Sequence, residues 1–257
     1  MYIRPKKSLG QHFLHDRNIA AKIVNSLRAE GYRTVIEVGP GLGVLTGYLL
    51  ERKDLVIIPV EIDREAVEYL KEAYPALYGR IVEGDFLKTD LSVLTEEPFG
   101  VIGNFPYHIS SSIFFRILDN RHSVREVVCM VQKEVAERIC SAPGNKTYGI
   151  LSVLLGVFFQ VEYLFTVGEK VFTPPPKVKS AVIRLTRHRE DRLPCKEELF
   201  FRLVKAGFNQ RRKTLRNALK AMLLPTPDRH PLLEKRAEQL TGADFIALTR
   251  WAEPYLR

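Results

Sequence analysis

The run Thr34-Val35-Ile36-Glu37-Val38, followed at once by Gly39-Pro40-Gly41-Leu42-Gly43, constrains this chain more than any other feature. Consecutive β-branched residues favour a strand, and closely spaced glycines end it in a tight loop. Leu42 to Leu50 then has helical spacing, completing a strand–loop–helix unit. The alternation continues. Leu55 to Val60, Arg80 to Val82, Gly100 to Gly103 and Glu126 to Gln132 read as strands. Between and around them, Ile19 to Leu27 (after the cap Asp16), Arg64 to Glu72, Ile113 to Leu118, Lys133 to Cys140 and Tyr148 to Val157 read as helices. Such alternation specifies an α/β fold with a mostly parallel sheet. Phe158 to Val167 and Ala181 to Thr186 are two late strands with no clear helix between them, which implies an antiparallel hairpin at one edge.

Beyond Arg187-His188-Arg189-Glu190-Asp191-Arg192 the pattern changes. Leu199 to Phe208, Leu215 to Leu223, Ala237 to Leu240 and Phe245 to Trp251 suit helices, and no strand candidate remains. The expected organisation is an α/β domain over 1–190 and a small all-helical domain over 191–257.

Charge is distributed unevenly along the chain. Residues 1–33 carry seven Lys/Arg against two Asp/Glu, residues 34–172 thirteen against nineteen, and residues 173–257 nineteen against nine. An acidic body between basic ends implies a polyanionic partner, nucleic acid above all. With 46% apolar residues the chain can bury a sizeable core. Cys129, Cys140 and Cys195 have no CxxC spacing, so they read as free thiols rather than a disulfide frame or zinc site. No run of about 18 apolar residues occurs, so no membrane span is expected and the cytoplasm is the expected location.

Three features at successive strand ends form a candidate cofactor site. Gly39 and Gly41 let backbone approach a ligand closely, in the first βα turn where doubly wound sheets bind ligands. Glu61 ends the second strand and can accept from a ribose diol. Asp85 follows the third strand and can accept from an adenine amine, with Phe86 packing on a ring. Together they favour an adenosine-containing cofactor, although the loop and Glu61 alone do not separate NAD from S-adenosylmethionine.

The fourth strand ends at Asn104-Phe105-Pro106-Tyr107. The amine of adenine is a poor nucleophile because its lone pair is delocalised. Two acceptors on its N–H groups, the Asn104 side-chain carbonyl and the Phe105 main-chain carbonyl, favour the pyramidal nucleophilic form. Pro106 stiffens the turn, and Tyr107 can stack on a base drawn out of its own stack. No general base is required, so positioning and electrostatics carry the catalysis. The tetrapeptide alone supports methylation of an exocyclic amine in DNA, RNA or protein.

Six motifs follow in order along the chain: Lys7-Ser8-Leu9-Gly10-Gln11-His12-Phe13-Leu14, the Glu37 to Gly43 loop, Asn104 to Tyr107, Gln132-Lys133-Glu134-Val135-Ala136, Phe172-Thr173-Pro174-Pro175-Pro176-Lys177-Val178 and Phe208-Asn209-Gln210-Arg211-Arg212-Lys213-Thr214-Leu215-Arg216. On these motifs the chain resembles the small-subunit ribosomal RNA adenine N6,N6-dimethyltransferases, the kasugamycin-resistance family. The resemblance implies a Rossmann-like class I methyltransferase sheet with a small C-terminal all-helical domain. It implies S-adenosylmethionine as methyl donor, released as S-adenosylhomocysteine, with no metal. It places His12 and Leu14 over the cofactor beside Gly39, Glu61 on its ribose, Asp85 on its adenine, Asn104 between cofactor and target amine, and Phe172 facing Tyr107 across the flipped base. Many members have Asn at the position of His12 and Leu at that of Phe105. The implied substrate is two adjacent adenosines in a hairpin near the 3′ end of small-subunit ribosomal RNA, free or in a pre-small-subunit particle, each receiving two methyl groups. Lys6, Lys7, Arg211, Arg212, Lys213 and Arg216 are the expected RNA contacts, and a monomer is expected. A macrolide-resistance-type enzyme acting on large-subunit RNA, a non-catalytic assembly factor on the same fold and a NAD-dependent oxidoreductase are the competing readings.

Overall fold

The computed structural model describes residues 4–188, 192–224 and 230–256. Among these described residues nine strands form: β1 (Phe13–Leu14), β2 (Thr34–Val38), β3 (Val56–Glu61), β4 (Val82–Glu83), β5 (Phe99–Asn104), β6 (Val124–Gln132), β7 (Phe159–Val167), β8 (Phe172–Thr173) and β9 (Ser180–Arg187). Seven make one sheet in the order β4-β3-β2-β5-β6-β9-β7, and β1 pairs with β8 in a separate two-stranded ribbon.

The β2–β3, β2–β5, β3–β4 and β5–β6 pairs are parallel. Every residue of β2 is buried, as a parallel sheet covered on both faces requires. The register sets Val38 beside Val60, Glu61 beside Glu83 and Asn104 beside Met130, so the strand ends share one edge of the sheet. At β5, a Cβ on Gly103 would lie 2.5 Å from the Val38 carbonyl, so only glycine lets β5 run this close to β2.

Two expectations shift. The third strand is short and starts at Val82 rather than Arg80. The late strands are neighbours at the sheet edge, but β9 runs antiparallel to β6 and lies inside β7.

The chain divides into two compact units, residues 1–136 with 161–187, and residues 137–160 with 188–257. The expected boundary near residue 190 falls on 189–191, outside the described residues. In the second unit, helix Ile150–Phe158 packs on helices Glu197–Asn209 and Gly242–Ala252. Its mean character is strongly apolar, and Leu151, Val153, Leu154, Leu155, Val157 and Phe158 are all buried. Each such side chain contributes about 1.5–3 kcal/mol on burial. Helix Glu197–Asn209 buries Leu199, Phe200, Leu203 and Val204, the i, i+4 spacing of one face, and starts with Glu197 and Glu198 at its positive end. The helix expected over Leu215 to Leu223 is only Leu215–Ala218, and Leu223 instead bridges to Leu256 in extended pairing. Ala237 to Leu240 contains a 3-10 turn, Ala237–Gln239. Among the described residues no helix is long and apolar enough to cross a membrane.

Candidate active site

A cavity of about 260 Å³ opens where β2, β3 and β5 end. Gly39, Gly41, Glu61, Asp85, Phe86, Asn104, Phe105 and Tyr107 line it, together with His12 and Leu14 from the N-terminal segment. The structure therefore gathers the expected cofactor residues and the tetrapeptide into one place, although they come from segments up to 95 positions apart.

The glycine loop turns through left-handed backbone at Gly39 (φ 63°) and Gly41 (φ 56°). A Cβ at Gly39 would meet nothing within 4 Å, which marks open space beside the loop. One at Gly41 would press on the Phe13 ring at 3.0 Å. Glu61 is buried, and its carboxylate braces the loop: Gly41 N donates to Oε2 at 2.9 Å and Asp63 N to Oε1 at 2.9 Å. Burial pushes its carboxyl up, against these backbone bonds. Each oxygen retains a second lone pair for a diol. Asp85 accepts from Leu87 N at 2.9 Å, and Phe86 is buried behind it.

Glu37 also lines the cavity. It is 1% exposed, Thr46 donates to its Oε2 at 2.7 Å, and its Oε1 has no hydrogen-bond partner. Burial pushes this carboxyl up to about 8, with Glu61 adding to the rise and the Thr46 bond opposing it. A buried carboxyl whose Oε1 has no partner, beside open space and a glycine cradle, suits a ligand that brings its own hydrogen-bonding groups, and S-adenosylmethionine is one. Among the described residues no cluster of three or more metal-ligating side chains occurs.

The Asn104 amide nitrogen donates to the His12 carbonyl at 3.0 Å, which orients the side-chain Oδ1 away from that bond. The Phe105 ring is fully buried and packs edge-on against Phe114 at 5.8 Å, so its side chain is structural. Tyr107 is fixed twice. Its hydroxyl hydrogen-bonds Ser180 Oγ at 2.6 Å, and its ring stacks on the His12 imidazole at 5.5 Å. His12 Nδ1 donates in turn to the Pro174 carbonyl at 2.7 Å. Phe172 sits apart: it pairs with Leu14 across the β1–β8 ribbon, is 2% exposed and belongs to the hydrophobic core, outside the cavity lining.

The expected RNA contacts divide. Lys6 Nζ is held by Asp63 at 2.7 Å and Glu65 at 3.0 Å. The Lys7 side chain lies outside the described residues. Arg211, Arg212 and Lys213 occupy the turn between helices Glu197–Asn209 and Leu215–Ala218, because the first helix ends at Asn209 and the next begins only at Leu215. Arg211 pairs with Glu238 at 3.1 Å and donates to the Asn145 carbonyl, and Arg216 pairs with Glu234. Arg212 and Lys213 are exposed.

Sequence reading missed Asp63 and Ser180. The Glu61-x-Asp63 spacing was a signal for the first. For Ser180, 73 positions from Tyr107, there was none.

This sheet, with its ligand cavity at the ends of β2, β3 and β5, defines a Rossmann-like S-adenosylmethionine-dependent methyltransferase. The sequence profile of the family described as "Ribosomal RNA adenine dimethylase" matches residues 3–250, and the chain belongs to that family. It is 55% identical over 249 residues to a "Ribosomal RNA small subunit methyltransferase A" of Cytophaga hutchinsonii, covering 96% of each chain. It is 53% identical over 257 residues to a protein of the same name from Parabacteroides distasonis, covering 99% of this chain and 96% of that one. Among solved structures, a dimethyladenosine transferase from Plasmodium falciparum superposes with TM-score 0.76 at 25% identity, covering 95% of this chain and 99% of that one. The 23S rRNA methyltransferase ErmE superposes with TM-score 0.66 at 26% identity, covering 92% and 99%.

Proposed function

We propose that this enzyme methylates N6 of two adjacent adenosines in a hairpin near the 3′ end of small-subunit ribosomal RNA, giving dimethyladenosines. The observation that carries the reading is the Asn104 side chain. Its nitrogen is held by the His12 carbonyl at 3.0 Å, leaving Oδ1 to accept from an amine in the cavity. When bound, S-adenosylmethionine supplies an electrophilic sulfonium methyl. Gly39, Gly41, Glu61, Asp85 and Phe86 hold it, with His12 and Leu14 covering it. Asn104 Oδ1 and the Phe105 carbonyl accept the two N–H groups of the target amine and orient its lone pair. Tyr107, braced by Ser180, supplies the stacking face for the flipped base. Phe172 supports the N-terminal wall of the cavity from the core through its pairing with Leu14.

The helical unit is the RNA-contacting part in this reading, with Arg212 and Lys213 as its exposed cations. The high similarity to small-subunit enzymes over full length supports the choice of RNA. The enzyme acts as a monomer in the cytoplasm, where small subunits mature. Incubation with labelled S-adenosylmethionine and undermethylated small or large ribosomal subunits tests the proposal. Label on two adjacent small-subunit adenosines is expected. Label in large-subunit RNA, or none on either particle, would overturn it.

A further inference from the structure

We propose that Asp63 is a positioning residue that latches the N-terminal segment over the cofactor cavity through Lys6 and Gln11, and so sets cofactor residence. The inference rests on reading that cavity as the cofactor site.

The side chain of Asp63 is fully buried, where an unpaired carboxylate is costly. Its oxygens are filled from two directions. Glu65 N donates to Oδ1 at 3.1 Å, the ordinary bond of a helix N-cap, which Asn or Ser would make as well. The other donors come from far back in the chain: Lys6 Nζ at 2.7 Å and Gln11 Nε2 at 3.0 Å. Lys6 N also donates to Gln11 Oε1 at 2.8 Å, which closes residues 6 to 11 into a braced turn. Burial would raise the Asp63 carboxyl, yet the bonds from Lys6, Gln11 and Glu65 outweigh it and hold it below the ordinary carboxylate value.

The braced turn leads directly into the cavity wall formed by Gln11, His12, Phe13 and Leu14, whereas Asp63 does not line the cavity. Asp63 is also tied to the opposite wall. Its main-chain N–H donates to Glu61, whose other oxygen holds Gly41 of the glycine loop. Two neighbouring carboxylates thus clamp the two sides of one site, Glu61 the loop and Asp63 the N-terminal segment. Lys6 is consumed in this clamp, which gives it a role other than phosphate contact.

Asp63→Asn keeps the helix cap and the shape while removing the charge, so it tests the latch without unfolding the helix. With S-adenosylhomocysteine as probe, calorimetry and stopped-flow dissociation are expected to show about tenfold weaker binding, carried by the off-rate, the loss expected of one charge-assisted contact. KM for S-adenosylmethionine rises correspondingly while kcat at saturation is unchanged. Lys6→Met with Gln11→Ala, outside any α-helix, weakens binding similarly, and all three changes together weaken it no further, because they remove one unit. Unchanged affinity in either variant, or additive losses, would overturn the latch while leaving the cofactor site in place. A wild-type protein that binds no S-adenosylhomocysteine would overturn both.

Discussion

The two units use charge in opposite ways. Among the described residues, the sheet unit buries four carboxyl groups, Glu37, Glu61, Asp63 and Glu126, of which Glu37 is pushed up to about 8 and holds its proton at neutral pH. Glu126 takes Arg28 N, Ala29 N and the Tyr32 hydroxyl, just as Glu61 takes Gly41 N and Asp63 N. Among the described residues, the helical unit's buried polar side chains are Ser152 and Thr249, hydroxyls that donate to main-chain carbonyls. None of its described charged side chains is buried. Buried charge is expensive and persists where it fixes geometry, while exposed charge is cheap and suits recognition of a polyanion.

Asn104→Ala gives the largest expected break in this contrast. It removes an acceptor that works only on the reacting amine, so kcat falls by about 10³-fold, the scale for losing one preorganised contact. RNA affinity, measured by filter binding, stays unchanged. Next comes Phe172→Ala. As a core residue it should cost about 3–5 kcal/mol of stability in urea unfolding. A stable variant with impaired methylation would instead place Phe172 against the base.

A smaller effect is expected at the exposed cations. Reversing Arg212 and Lys213 should weaken RNA binding about tenfold and lower the slope of log affinity against log salt by about 2, one for each phosphate contact. Reversing Arg211 breaks its pair with Glu238 and should destabilise the helical unit more than it changes the slope. Equal slopes for all variants would move the RNA footprint elsewhere.

The last effect is the most gradual and concerns pH. Glu37 holds its proton up to about 8 when folded, against 4.5 ordinarily. Between these values the unfolded chain ionises while the folded one does not. Unfolding then releases a proton, and stability declines with rising pH by up to about 1.4 kcal/mol per unit. Glu37→Gln should flatten unfolding curves across that window. A wild-type profile already flat there would show that Glu37 is ionised when folded.

The sequence by itself determined the local chemistry: the glycine loop after β2, the carboxylates Glu61 and Asp85 at successive strand ends, and the tetrapeptide at the end of β5. These are legible because strand period, turn residues and motif order are local properties, and a parallel sheet brings strand ends to one edge. The same locality predicted most helices in the helical unit, but not that Leu223 would leave its helix to pair with Leu256. Only the tertiary structure decided which charges are spent internally. Lys6, Arg211 and Arg216 read as free cations, yet each meets a carboxylate 18 or more positions away. It also turned Phe172 toward the core, gave Tyr107 its Ser180 brace and put Asp63 beneath Lys6 and Gln11. Burial and pairing are properties of residues distant in the chain, and no spacing within one segment encodes them.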